Sequence, residues 1–159
     1  MIHHLSIPAR DPRHVAEVLV ELFGGTLTGF GPWRDSFIAW AGDPFGTAIE
    51  VYPLGTEMLP DDGAGQAWFR SAAAPSPHVA THAAVSVQRS RQEILALARR
   101  EGWRAIELPR GPHQVIEFWI ENAVMLELMT PEMAGDYMRA MAVFRHHPAA
   151  ESPEFGAST

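Results

Sequence analysis

The chain has 159 residues, 47% apolar and 19% charged, which suits an ordinary soluble domain and leaves room for one sizeable core or for two joined modules of about 75 residues. Twelve Lys and Arg against 19 Asp and Glu give a net charge of −7, so the basic excess that a nucleic-acid partner requires is missing. No apolar run reaches the roughly 20 residues that span a bilayer, and Met1-Ile2-His3-His4 lacks the basic and apolar regions of a signal peptide; the chain reads as cytoplasmic, with no membrane partner.

In chain order, residues 2–8 read as a short strand. Asp11-Pro12 opens an amphipathic helix from His14 to Phe23, with Val15, Val18, Leu19 and Leu22 at three-to-four-residue spacing, and Gly24-Gly25 closes it. Three strand-like segments follow: Thr26–Phe30, Phe37–Trp40 and Thr47–Tyr52. Residues 54–77, rich in Pro, Gly, Ala and Ser, form a linker long enough to predict a short helix around 66–72, a lid, or a mobile crossing. Residues 79–87 then read as another strand, followed by Ser90, a helix over Arg91–Glu101, Gly102, and strands at Arg104–Leu108, Val115–Ile120 and Val124–Met129. Pro131 starts a final helix, 131–147, whose methionines (Met133, Met138, Met141) suit it to cover a sheet or a subunit contact. The composition of 148–159 predicts a disordered tail.

This order contains a repeat. His4 and His82, like Gly24 and Gly102, are 78 residues apart; Glu50 and Glu127 are 77 apart, because the turn at residues 42–46 becomes the tighter Glu121-Asn122-Ala123. Each half is strand, helix and three strands. The predicted fold is therefore α+β, with two βαβββ modules, 1–53 and 78–130, in a single domain spanning 1–130.

Within apolar strands the repeat places the same two polar residue types twice. Burying an unpaired carboxylate costs several kcal/mol, so Glu50 in Ala-Ile-Glu-Val-Tyr and Glu127 in Met-Leu-Glu-Leu-Met call for a compensating partner. With no cysteine in the chain, a metal has only His, Asp and Glu as ligands. The set His4, Glu50, His82 and Glu127 offers two neutral imidazoles and two carboxylates, which balance one divalent ion per site (Zn, Ni, Co, Fe or Mn) and leave two positions for water or substrate. A small substrate with adjacent oxygens fills both positions, and the ion stabilises negative charge on an enolate or enediolate oxygen. Either Glu50 or Glu127 is the candidate catalytic base; the sequence does not choose between them.

The two copies, with His4, Glu50, His82 and Glu127 at their first and last strands, resemble the vicinal oxygen chelate superfamily, which includes glyoxalase I, extradiol dioxygenases, methylmalonyl-CoA epimerase, and the fosfomycin and bleomycin resistance proteins. The resemblance covers about residues 2–130 and implies a pseudo-symmetric open barrel of curved sheets around a metal, with ligands from the first and fourth strands of each module. It also implies that the modules pair within one chain or exchange between two; a homodimer is expected, since open sheets need covering. A Glu at position 50 is similar to the four-ligand lyases and isomerases. Glyoxalase I enzymes carry Arg and Asn for glutathione where this chain has Pro8 and Leu54. The expected activity is thus a metal-dependent lyase or isomerase. The alternatives are a non-haem iron extradiol dioxygenase and a ligand-sequestering protein of the bleomycin-resistance type.

Trp33, Trp40 and Trp68, three of five tryptophans, are candidate walls of a substrate pocket, and His113 in a Gly-Pro-His turn is a candidate substrate contact. Glu117 also lies in a strand, but the residue 78 positions before it is Ala39, so the repeat does not single it out.

Overall fold

The computed structural model describes residues 2–59, 61–62, 65–76 and 78–146; the predicted disordered tail lies outside them. The first module comprises β1 (His4–Ala9), α1 (Pro12–Phe23), β2 (Thr26–Gly29), β3 (Phe37–Trp40) and β4 (Ala48–Pro53). A hairpin of β5 (Thr56–Leu59) and β6 (Trp68–Ser71) follows. The second module comprises β7 (Ala83–Ser86), α2 (Arg91–Glu101), β8 (Ala105–Arg110), β9 (His113–Ile120) and β10 (Val124–Met129), and α3 (Pro131–His146) ends the described chain.

Local chemistry accounts for the helix boundaries. The Asp11 carboxylate accepts from the His14 N–H ahead of Pro12, and α1 stops where Gly24 adopts φ 71°, a left-handed conformation that strains other residues. Ser90 and Glu93 form a reciprocal capping box at the start of α2.

Each module folds into a four-stranded mixed sheet. The orders, β1-β4-β3-β2 and β7-β10-β9-β8, are the same arrangement twice, with the first and last strands parallel and the rest antiparallel. These are the paired βαβββ units of the open glyoxalase-type fold. No barrel closes among the described strands. Alternation along each strand turns one set of side chains inward, Ile7, Ile49 and Val51 in the first module and Phe118, Leu126 and Leu128 in the second; all belong to one continuous core. Charged contacts lock the junction. Arg100 pairs with Glu21 at 2.9 Å, His14 with Glu101 at 2.7 Å, and the Glu121 carboxylate accepts from the Arg10 and Asp11 N–H groups at 2.6 and 2.8 Å.

Two expectations are corrected. The helix predicted around 66–72 is instead strand β6, because Trp68–Ser71 pairs antiparallel with Thr56–Leu59 and its backbone groups are satisfied in that ladder. The strand predicted from 79 begins only at Ala83, so His82 stands just before β7, whereas His4 is the first residue of β1. No helix among the described residues is long and apolar enough to cross a membrane.

Replacing Ser90 by Ala removes the hydroxyl half of the α2 capping box, leaving the backbone N–H of residue 90 on the Glu93 carboxylate, and is expected to cost about 1 kcal/mol in urea unfolding. Arg13→Ala, which breaks only an exposed pair with Glu17 one turn along α1, should cost less than about 0.5 kcal/mol.

Candidate metal centre

The parallel register of β1 on β4 sets Ser6 opposite Glu50 and His4 opposite Ala48, so His4, Ser6, Glu50 and Tyr52 share the sheet face turned away from α1. Glu50 is only 9% exposed. The Ser6 hydroxyl donates to its Oε2 at 2.8 Å and the Tyr52 hydroxyl to the same oxygen at 3.2 Å. Its other oxygen, Oε1, faces His4 Nε2 at 3.8 Å, beyond hydrogen-bonding distance. Two donors each about 2.1 Å from one ion stand about 3.0–3.4 Å apart at octahedral or tetrahedral angles, so a shift of a few tenths of an ångström brings this pair to ligand spacing. The Tyr52 phenol is held well above its usual range, first by burial and then by the neighbouring Glu50 charge, and therefore stays a proton donor to the carboxylate.

The second module repeats the register with different partners. Ala84 lies opposite Glu127 where Ser6 lies opposite Glu50, so no hydroxyl is supplied from that strand. Arg110 takes over instead. Its Nε donates to Glu127 Oε1 at 2.7 Å and its Nη2 to Glu117 Oε1 at 2.5 Å, and the Trp119 indole donates to Glu117 Oε2 at 3.1 Å. Burial pushes the Glu117 carboxyl up, but the Arg110 and Trp119 hydrogen bonds outweigh it, leaving its pKa lowered overall.

The four predicted ligands are thus not gathered at one point. His4 and Glu50 stand together. Glu127 is clamped by Arg110, and His82 is exposed with its ring Nδ1 3.2 Å from the Ala80 carbonyl oxygen, although His4 and His82 line a common cleft between the modules. Among the described residues no group of three or more His, Asp or Glu side chains is placed to hold an ion.

The remaining candidates are distributed as follows. Trp33 packs on Phe69 at 5.6 Å, which stacks on Tyr52 at the same distance. Trp40 shares the face of Glu50 and donates to Thr28. Trp68 is exposed on the hairpin face opposite Phe69. His113 lies edge-on to Tyr137 of α3, with its Nδ1 buried and without a partner.

Sequence reasoning missed Ser6, Tyr52 and Arg110. Ser6 and Tyr52 were accessible from period-two alternation, each two positions from a candidate ligand in its own strand. The structural counterpart of Glu117 is Ile38, the residue opposite Glu50, rather than Ala39, because the repeat slips by one residue before β9.

No family model matches the chain, and no curated protein matches its sequence. Its likeness to solved structures lies in the fold. Trypanothione-dependent glyoxalase I from Leishmania major aligns with a TM-score of 0.52 at 15% identity, over 94% of this chain and 99% of its own. Fosfomycin resistance protein FosX from Listeria monocytogenes, in complex with Mn(II) and sulfate, gives 0.53 at 14% identity over 88% and 96%. FosX from Mesorhizobium loti gives 0.50 at 15% identity over 86% and 96%. These structural neighbours are members of the vicinal oxygen chelate superfamily, and the chain has their fold.

Because the Glu117 carboxyl is held low in the folded state, its stabilising contribution is complete above the ordinary carboxylate range, about pH 4.3, and is lost as pH falls through the lowered folded value. Arg110→Met is therefore expected to destabilise the fold by about 1–3 kcal/mol at pH 7 and by clearly less near pH 3, read from urea unfolding at both.

Proposed function

We propose that the chain is a metal-dependent enzyme of lyase or isomerase type acting on a small substrate with two neighbouring oxygens. It works as a homodimer, in which His4 and Glu50 of one copy and His82 and Glu127 of a second hold one divalent ion, Zn, Ni, Co, Fe or Mn. The observation that carries this reading is the state of Glu50. It is a buried carboxylate with one oxygen held by two hydroxyls and the other turned to an imidazole 3.8 Å away, and among the described residues no guanidinium pairs with it. The hydroxyls orient the carboxylate as outer partners orient metal ligands. The Mn(II) in the Listeria FosX structure supports a divalent ion on this fold.

The donor set fits such an ion in charge and in type. Bound there, a divalent ion supplies Lewis-acid stabilisation of the negative charge that develops on a substrate oxygen. Within the chain, Glu50 is the candidate base: Ser6 and Tyr52 keep Oε2 in place, and Oε1 would have to turn from the ion to take the proton from the carbon beside the substrate carbonyl. Glu127 is the less suited base because Arg110 already holds its Oε1, which fixes the carboxylate in one orientation.

The aromatic row Trp33–Phe69–Tyr52 favours a second reading, a protein that sequesters an apolar ligand without chemistry. Oxygen uptake with a catechol and Fe(II) tests the dioxygenase variant separately.

Protein purified without a His tag is expected to carry about one equivalent of divalent metal per site by elemental analysis, and His4→Ala and Glu50→Gln to lose most of it, with wild type sedimenting as a dimer. Equally low metal in wild type and Glu50→Gln would discard the enzymatic reading in favour of the second.

A further inference from the structure

The β5–β6 hairpin falls between the two copies of the repeat and has no counterpart in either module. A two-stranded hairpin is marginal by itself, so it needs support from elsewhere. Its register puts Met58 opposite Phe69, with Thr56 on the same side, while Glu57 and Arg70, paired at 2.6 Å, take the other side. The Phe69 ring anchors the apolar side by stacking on Tyr52 and packing against Trp33, both at 5.6 Å.

Beneath this roof lies a chamber of about 250 Å³. Its walls include Thr56, Met58, Phe69 and Pro8, and its floor is formed by Ser6 and Tyr52, the two hydroxyls that hold Glu50. Among the described residues no charged side chain lines it. An apolar cavity of about 150 Å³ is enough for benzene, so this space suits one or two fused rings. A ligand carboxylate or phosphonate entering here would meet no cation, and would approach a buried carboxylate already present. A hydroxyl on the ring, by contrast, can donate to the Ser6 or Tyr52 oxygen, whose own protons are given to Glu50.

We infer that the chamber is a binding site for a small phenol-like ligand, its ring against Phe69, Met58 and Tyr52 and its hydroxyl at the Ser6 and Tyr52 oxygens that hold Glu50. Recognition uses ring stacking and one polar anchor, and does not depend on a metal ion.

The test is calorimetric titration of full-length protein, freed of metal by a chelator, with two probes of similar shape, 2-naphthol and 2-naphthoate, at pH 7. The naphthol is expected to bind and the naphthoate to bind at least about ten-fold more weakly. Phe69→Leu should weaken the naphthol about ten-fold. Met58→Ala, at a residue 56% exposed and so tolerated by the fold, should weaken it several-fold. The inference is overturned if the naphthol does not bind, if the naphthoate binds as tightly, or if both variants bind as wild type does. Since the titration uses metal-free protein, its failure leaves the metal reading untouched, and loss of the metal reading leaves the titration valid.

Discussion

A carboxylate in the middle of a buried strand has to be solvated by protein. Every residue from Ala48 to Tyr52 is buried, and in this run Glu50 is the one ionisable group apart from the phenol of Tyr52. The parallel pairing of β1 with β4 meets the need by placing Ser6 directly opposite, and alternation along β4 adds Tyr52 two residues on. These two hydroxyls supply hydrogen bonds but no positive charge. The energetic demand is met only in part, and the unmet part is turned toward His4.

The second module meets the same demand differently. Glu127 gains a neighbouring carboxylate, Glu117, and Arg110 bridges the two with one charge-assisted hydrogen bond to each, offsetting one of their two negative charges. Duplicated topology has thus been filled with two electrostatic arrangements. One face keeps a carboxylate short of a cation, and the other contains its own. Part of the second face is also covered by α3: Met133 is buried in the common core, Tyr137 packs against it, and the Tyr137 ring meets His113. The face of the first module is roofed instead by the β5–β6 hairpin, through Phe69 on Tyr52.

Much of the fold was legible in the sequence because the repeat is carried by backbone-determining residues. Gly24 and Gly102 both sit at left-handed helix ends, and the core strands at 37–40 and 124–129 fall where their apolar pattern placed them. The pairing of His4 with Glu50 was legible for the same reason. The hairpin was not, since Trp68–Ser71 is too short to show a period and its strand character comes from the partner at Thr56–Leu59. The Arg110 clamp was hidden as well: it joins residues 17 and 7 positions away across two strand registers, and a one-residue slip before β9 concealed which residue stands beside Glu127.

The single core shared by the two modules bears on how the chain is made. The face of α1 formed by Val15, Leu19 and Leu22 shares its core with residues such as Ile94 and Phe118, which follow some seventy residues later or more. During synthesis the first module therefore emerges with part of its apolar surface uncovered, and β1 waits for β4 across a separation of 44 residues. The two halves are not packed as separate units in series: buried residues of both form one cluster, so the core is complete only when both copies of the repeat are present.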